Sequence, residues 1–168
     1  GTFSDADMSV QPSLFALLPQ VVDSVKVPVI AAGGIADGRT IAAAFMLGAS
    51  GVQVGTAFLG CKEANISDDY RAALTNANDT STIVTDTITG KPARFIKNKL
   101  IEKLLISGAS PLPFPAQSSL TLPLEQGESK ELKSLYAGQS VALTRNLTAR
   151  GLMQALVRET NHCFSSFC

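Results

Sequence analysis

The fold of this chain is constrained most by the stretch Val27–Gly38, "VPVIAAGGIADG". A short β-branched apolar run of this kind is typical of a parallel strand that is covered on both faces. The next segment, "GRTIAAAFMLGA", has helical apolar spacing, with Asp37 placed to cap the helix and Gly48 placed to end it. "GVQVGTAFL", Gly51–Leu59, predicts a second strand. Strand, helix and strand with short links form a βαβ unit, so the sequence predicts parallel strands.

Both predicted strands end in residues that leave the backbone open to a ligand. Gly33 and Gly34 follow the first strand, and Gly55 and Thr56 end the second apolar run. In parallel α/β folds, ligands bind beyond the carboxyl ends of the strands. Glycine permits positive φ and close approach, backbone N–H groups near a helix N-terminus bind phosphate, and Thr56 adds a hydroxyl donor. The pair predicts a phosphate grip shared by the last two strands of a (β/α)8 barrel; the alternative is that both glycine sites are only tight turns.

The segments on either side of this unit give weaker signals. An apolar helical stripe follows Ser13 as cap and is interrupted by Pro19, which either kinks the helix or begins a second one. A further helix is expected after Ser67, with two acidic residues in its first turn. The remaining expectations are a short strand in "TSTIVTDTI", an amphipathic segment with a solvated basic face in "ARFIKNKLIEKLLI", an extended loop in "GASPLPFPAQSSLTLPL", and helices in "ESKELKSLYAGQSVALTRN" and "TARGLMQALVRET".

Composition excludes several classes of protein. The chain has 168 residues, of which 45% are hydrophobic, so it can bury a core. Its 14 basic and 14 acidic side chains leave no basic face for nucleic acid or an anionic membrane, and no apolar run approaches the ~20 residues of a membrane helix. Cys61, Cys163 and Cys168 lack metal or redox spacing. Without a secretory signal, we expect reduced thiols in a cytoplasmic protein with no metal site.

Longer motifs point to a particular family. The block "LFALLPQVVDSVKVPVIAAGGIADGRTIAAAFMLGASGVQVGTAFLGCKEA" and the later motifs "YRAAL", "GKPAR", "PLPFPAQ" and "LYAGQSVAL" resemble the nitronate monooxygenase family, formerly called 2-nitropropane dioxygenases. The resemblance covers nearly the whole chain. It implies the C-terminal part of an FMN-binding TIM (β/α)8 barrel with an added C-terminal helical region. Residues 1–60 would be its last βα units, and residues 61–168 the helical, Pro-rich remainder of the same domain.

The start of the chain at Gly1 rather than Met suggests a cut through a larger protein. With that reading, the N-terminal half of the barrel is absent from this sequence.

The resemblance also implies a cofactor site. Gly33 and Gly34 match the family glycines that hold the FMN phosphate from the seventh strand, and the second FMN segment, on the eighth strand, corresponds to Gln53, Val54, Gly55 and Thr56. Gln139, in "AGQ", matches a recurrent family motif for which chemistry alone gives no role.

The chain departs from the family pattern in two respects. The family's catalytic His lies in a Gly-Gly-His-Arg-Gly segment expected upstream of Gly1, so the catalytic residue of this chain stays unknown, and His162 is expected to be an incidental surface residue. Where several members carry two Tyr and a Lys around the substrate, the corresponding stretch of this chain, "FPAQSSLTL", has Phe114, Ser118 and Leu122. This difference leaves the substrate open.

The expected function of the parent protein is FMN-dependent oxidation of an alkyl nitronate (or nitroalkane) with O2 to a carbonyl compound and nitrite. One alternative is an FMN-dependent NAD(P)H quinone or enoyl-thioester reductase, since "KNKL", Lys97–Leu100, is similar to a segment of enoyl reductases. A second alternative is a truncated half-barrel without activity. Neither nucleic acid nor a membrane is an expected partner, and the oligomeric state is left open.

Overall fold

The computed structural model describes residues 11–127 and 129–166. It divides into two compact units, residues 11–76 with 138–166 and residues 77–137. The first of these is called the βαβ unit below and the second the hairpin unit.

The βαβ unit is built around a pair of parallel strands. Strand β1 (Ile30–Ala32) pairs with strand β2 (Gly51–Gln53) so that Ile30 lies opposite Gly51 and Ala32 opposite Gln53. This pairing confirms the predicted parallel arrangement. The elements in chain order are α1 (Leu14–Ser24), β1 (Ile30–Ala32), α2 (Gly38–Met46), β2 (Gly51–Gln53), α3 (Thr56–Leu59), α4 (Asp68–Asn76) and, after the hairpin unit, a 3-10 segment (Gln139–Leu143) and α7 (Ala149–Ser166).

The predicted ends of the helices are largely confirmed. Asp37 caps α2, because its carboxylate accepts the N–H of Thr40 at 3.0 Å while the Thr40 hydroxyl accepts the N–H of Asp37 at 3.1 Å. Gly48 follows the end of α2, and its N–H donates to the carbonyl of Phe45 at 2.9 Å. The Ser67 hydroxyl accepts the N–H of Tyr70 at 3.3 Å at the start of α4.

In helix α1 the structure decides the roles of Ser13 and Pro19. Ser13 occupies the N-cap position but makes no hydrogen bond through its side chain there. Pro19 lies inside one helix that runs from Leu14 to Ser24, so it does not begin a second helix.

Helix α7 packs closely against the first turn of α2. The N–H of Gly38 donates to Oε2 of Glu159 at 3.1 Å, and a Cβ added to Gly38 would lie 2.2 Å from the Glu159 Cβ and 2.5 Å from the Thr160 nitrogen. Glu159 also accepts a hydrogen bond from Arg145, which lowers the pKa of the Glu159 carboxyl. Glycine at position 38 is therefore what allows the two helices to approach this closely.

The burial of β1 differs from the prediction. Ala31 is 2% exposed, but Ile30 is 57% exposed and Ala32 is also exposed. Alternate residues of a strand point to opposite faces. One face of β1 therefore packs against the helices and the other is open, so the prediction of a strand covered on both faces is wrong for the described structure.

The second strand is also shorter than predicted. Strand β2 ends at Gln53, and residues Thr56–Leu59, expected to continue it, form the short helix α3. The chain turns because the N–H of Phe58 donates to the carbonyl of Gly55 at 2.9 Å. This turn buries Ala57, which is 1% exposed.

The hairpin unit contains an antiparallel pair with two helices. Strands β3 (Thr82–Thr85) and β4 (Ala93–Ile96) pair with Thr82 opposite Ile96, which confirms the strand predicted in "TSTIVTDTI". Its core centres on Phe95, whose exposure is 0%. The unit continues with α5 (Lys99–Ser107), α6 (Ala116–Gln126) and a 3-10 segment (Lys130–Leu132).

Two segments of the hairpin unit differ from their predicted form. The amphipathic segment divides into β4 and α5. Its Arg94 is half-buried, which lowers the pKa of its guanidinium, and it donates to Thr82 Oγ1 at 3.2 Å. Arg94 is therefore not on a solvated face. The Pro-rich segment, expected to be an extended loop, is a loop up to Pro115, but from Ala116 onward it forms helix α6. Its buried Gln117 accepts the N–H of Leu112 at 3.0 Å and donates to the Thr87 carbonyl at 2.6 Å, which anchors the start of that helix.

The helix predicted over residues 128–146 is wrong. Around Tyr136 the chain pairs with β4 instead, because the Leu135 carbonyl accepts the N–H of Ile96 at 2.7 Å and the Ala137 N–H donates to the Arg94 carbonyl at 3.2 Å. These backbone groups are then not available to a helix. By contrast, the helix predicted in "TARGLMQALVRET" is confirmed as α7, which extends to Ser166.

Candidate functional site

The loop after β1 carries two glycines in the left-handed region of backbone space. Gly33 has φ of 104° and Gly34 has φ of 73°, and both residues are exposed. Residues with a Cβ rarely adopt these values without strain. A Cβ added at Gly33 would meet nothing within 4 Å. The backbone of this loop therefore requires glycine and is open on the side that a side chain would occupy.

The loop after β2 is open for a different reason. Gly55 has φ of −108°, which any residue can adopt, and a Cβ added there would meet nothing within 4 Å. Neither its backbone conformation nor its described neighbours require glycine at this position. Gln53 is exposed, and Thr56 is half-buried at the start of α3.

Val54 lies between these loop residues but faces the core. It is half-buried and packs against the hydrophobic cluster that includes Ala57 and Leu156. Its side chain also lines an apolar pocket with Ile41 and Phe58, so a phosphate would meet Val54 through its backbone.

A third segment connects the two loops. The N–H of Gly138 donates to Thr56 Oγ1 at 2.8 Å, and the hydroxyl of Ser140 donates to the carbonyl of Gly34. Gln139 lies exposed between these two residues. The structure thus brings Gly34 and Thr56 to one short turn. The sequence analysis noted the motif around Gln139 without a role, and it predicted neither these contacts nor Gly138 and Ser140.

The chemistry of the two loops suits an anion. The N–H groups of Gly34, Gly55 and Thr56 have no protein acceptor among the described residues. Residues 33–35 and 53–57 include no acidic side chain. The Thr56 oxygen accepts a hydrogen bond from Gly138, so its own proton is available to a ligand. Backbone donors gathered in this way form a concavity that binds phosphate.

The carboxylate of Asp37, the first acidic residue after the glycine loop, is bound by Thr40 and Arg39. Burial alone would raise the pKa of the Asp37 carboxyl, but hydrogen bonds from Thr40 and Arg39 outweigh it and lower that pKa below its ordinary value. The carboxylate is thus committed to the start of α2.

His162 makes no described contact with the residues predicted to bind the cofactor. It is exposed on α7 and lines an open surface pocket together with Asp37, Arg39 and Glu159. The described lining of this pocket includes none of the six predicted cofactor residues. In the hairpin unit, Phe114 is 46% exposed, Leu122 is 49% exposed, and the Ser118 hydroxyl donates to the Thr89 carbonyl at 3.4 Å.

The remaining polar groups give no metal or membrane signal in the part of the chain that is described. Within residues 11–127 and 129–166, no three His, Cys, Asp or Glu side chains are grouped to hold a metal ion. Helices in the same ranges are too short or too polar to cross a bilayer. Cys61 is buried, which raises the pKa of its thiol, and neither Cys61 nor the half-buried Cys163 is in a disulfide there. Cys168 lies outside the described residues.

Comparison with known proteins identifies the family. A family model described as "Nitronate monooxygenase" matches residues 1–159. The chain belongs to the nitronate monooxygenase family. Membership in this family points to a flavin cofactor and to an oxidoreductase.

Comparison with individual proteins is consistent with this family. A "Probable nitronate monooxygenase" of Staphylococcus saprophyticus is 38% identical over 167 residues, which are 96% of this chain and 47% of that protein. Among solved structures, nitroalkane oxidase from Streptomyces ansochromogenes matches with a TM-score of 0.89 and 33% identity, covering 99% of this chain and 49% of that one. FabK from Thermotoga maritima matches with a TM-score of 0.80 and 31% identity, covering 94% and 51%. The chain thus spans about half the length of the relatives it matches.

Proposed function

We propose that this chain is the FMN-binding part of a nitronate monooxygenase, and that the protein containing it oxidises an alkyl nitronate with O2 to a carbonyl compound and nitrite. The observation that carries this proposal is the pair of open strand-end loops, around Gly34 and Gly55, that meet at the Gly138–Ser140 turn. The family membership supports a flavin, and the chemistry of the loops favours the phosphate-bearing form, FMN.

The residues present fit the phosphate group of FMN. No side chain occupies the open side of Gly33 or Gly55, so a phosphate can approach the backbone at both positions. The N–H groups of Gly34, Gly55 and Thr56 and the Thr56 hydroxyl would donate to the phosphate oxygens, and Gln53 and Val54 would contribute through the strand that leads to them. A bound flavin supplies the electron transfer and the oxygen chemistry. The residues of this chain bind and orient it.

Proton removal from a nitroalkane is assigned to no residue of this chain. His162, its single histidine, lies on α7 with a lining of charged side chains rather than beside Gly34 or Thr56. A general base must come within hydrogen-bond reach of the proton that it removes. The catalytic base of the proposed reaction therefore stays unassigned within this chain.

The exposed face of β1 supports a partial barrel. Ile30 and Ala32, which are open here, occupy the face that points to the interior in a closed (β/α)8 barrel. We accordingly propose that residues 1–60 are the last βα units of such a barrel and that residues 61–168 are its added C-terminal region. The unpaired thiols of Cys61 and Cys163 support a cytoplasmic location.

The test compares two flavins that differ in one group. Riboflavin lacks the phosphate of FMN, so a phosphate grip predicts that the 168-residue chain binds FMN at least about tenfold more tightly than riboflavin, measured by flavin fluorescence anisotropy. Equal affinity for the two flavins would overturn the phosphate site. For the reaction, the protein that contains this chain is loaded with FMN and given propyl nitronate in air, and nitrite is measured. FMN binding without nitrite release would reject the nitronate reaction while leaving the cofactor site intact.

An NAD(P)H-dependent reductase is the second candidate, favoured by the similarity to FabK. This function needs no base for nitronate formation. Anaerobic addition of NADH to the FMN-loaded protein distinguishes the two, because a reductase would lose its flavin absorbance within seconds whereas a nitronate monooxygenase would lose it only with a nitronate.

A further inference from the structure

We infer that the turn Gly138–Ser140 is a clamp that holds the two phosphate-binding loops in one fixed arrangement, with Gly138 and Ser140 as positioning residues. This inference rests on the proposed FMN site. The family resemblance of the sequence assigns no role to either residue.

Ser140 fixes one peptide plane of the glycine loop. Its hydroxyl donates to the carbonyl of Gly34. Because the peptide unit is planar and trans, holding that carbonyl also holds the N–H of Ile35, which points in the opposite direction in the same plane. Gly34 has positive φ and little conformational restriction of its own, so an external contact of this kind selects one orientation of the loop.

Gly138 acts on the other loop through the Thr56 hydroxyl. Its N–H donates to Thr56 Oγ1 at 2.8 Å, which fixes the oxygen and directs its proton elsewhere. A Cβ added to Gly138 would lie 3.3 Å from the same oxygen, tighter than an ordinary contact. Glycine at position 138 therefore lets the backbone approach Thr56 closely enough for this bond.

The two contacts join parts of the chain that are far apart in sequence. The bond from Gly138 to Thr56 spans 82 positions and that from Ser140 to Gly34 spans 106 positions. Loops that are ordered before a ligand arrives spare it the cost of ordering them, and this raises its affinity. A clamp of this kind predicts that losing either contact weakens the binding of the phosphate group without changing the flavin ring's own contribution.

The first experiment measures loop order without any flavin. Ser140→Ala removes the bond to Gly34, Ser140→Thr keeps a hydroxyl at the same position, and Ser165→Ala is the matched control, since the exposed Ser165 hydroxyl donates to the Asn161 carbonyl at 3.0 Å within α7. Hydrogen exchange of the amides at residues 33–36 and 54–57 is followed in the 168-residue chain. We expect about tenfold faster exchange in residues 33–36 for Ser140→Ala, near wild-type exchange for Ser140→Thr, and no change in either segment for Ser165→Ala. Unchanged exchange in Ser140→Ala would overturn the clamp.

The second experiment measures binding with the same variants. We expect the FMN dissociation constant of Ser140→Ala to rise about fivefold to tenfold while that for riboflavin stays constant, with recovery in Ser140→Thr. An equal loss for both flavins would contradict the inference, because the clamp acts on the phosphate loops.

A further variant covers the case in which Ser140→Ala does not fold. Gly138→Ala keeps an allowed backbone, since φ at Gly138 is −76°, but crowds Thr56. We expect faster exchange in residues 54–57 and weaker FMN binding. If wild-type protein binds FMN and riboflavin equally, the proposed phosphate site fails, and the exchange data still decide whether the turn orders the loops.

Discussion

Two glycines of the βαβ unit, Gly38 and Gly55, lack a side chain for opposite reasons. Gly38 lies at the start of α2, and a Cβ there would be 2.2 Å from the Glu159 Cβ of α7. Gly55 lies beyond β2 with an ordinary φ of −108°, and a Cβ there would meet nothing within 4 Å. The first position is filled by the protein itself, whereas the second is empty within the described chain.

The difference separates glycines required by the fold from glycines that leave room for a ligand. Sequence alone presents both as residues of a turn next to a helix. A side chain at Gly38 should therefore lower stability, whereas a side chain at Gly55 should leave stability unchanged and weaken flavin binding.

Gly38→Ala is expected to destabilise the protein most. The new methyl group would overlap the α7 backbone, including the Thr160 nitrogen at 2.5 Å, so the helices must separate and the Gly38 to Glu159 hydrogen bond is lost. We expect the unfolding free energy to fall by about 2–3 kcal/mol, measured by urea denaturation. A loss below about 0.5 kcal/mol would show that α7 adjusts without cost and that Gly38 does not differ from Gly55 in this respect.

Asp37→Asn is expected to have a smaller effect that depends on pH. Asn can still cap α2, but it cannot carry the charge whose pKa is lowered by the bonds from Thr40 and Arg39. A carboxyl with a lowered folded pKa stabilises the protein above its unfolded pKa of about 4 and loses this contribution as the pH falls through the folded value.

We therefore expect Asp37→Asn to be less stable than wild type by about 1 kcal/mol at pH 7, with the gap narrowing as the pH is lowered below about 4. Thermal unfolding across that range measures it. The Asp37 charge also acts to raise the pKa of Glu159, so part of the difference at acidic pH comes from Glu159. A gap that widens on acidification would contradict the assignment of the lowered pKa to Asp37.

Gly55→Ala is expected to change stability least but to weaken the binding of FMN. Its backbone and its surroundings both accept a methyl group, so the unfolding free energy should stay within about 0.5 kcal/mol of wild type. The same methyl group would occupy the space proposed for the phosphate, and we expect about tenfold weaker FMN binding by fluorescence anisotropy. Unchanged FMN affinity would mean that Gly55 does not face the cofactor.

The parts of the fold that sequence predicted are those fixed by neighbouring residues. The cap at Asp37 depends on Thr40, three positions away, and the parallel strands depend on a short α2 between two apolar runs. Interactions between residues this close along the chain can be predicted from the sequence. Gly33 directly follows β1 and Gly55 lies two residues after the end of β2, so both loop positions are also local, whereas their role in binding stays a prediction.

The parts that sequence missed are decided by partners far along the chain. The segment around Tyr136 has a helical composition, but its backbone bonds go to Arg94 and Ile96 in β4. Similarly, no local pattern in the sequence predicts that the Ser140 hydroxyl donates to the Gly34 carbonyl. The open face at Ile30 was missed because an apolar strand looks the same whether or not a second layer covers it.

The contact between Gly38 and Glu159 joins positions that are 121 residues apart. During synthesis at about 5–20 residues per second, α2 therefore leaves the ribosome roughly 6 to 24 seconds before the helix that covers it. For that interval the nascent chain carries the uncovered apolar side of α2, with Ile41 and Ala44. The βαβ unit can thus close only after α7 has been synthesised, and until then the apolar side of α2 stays uncovered.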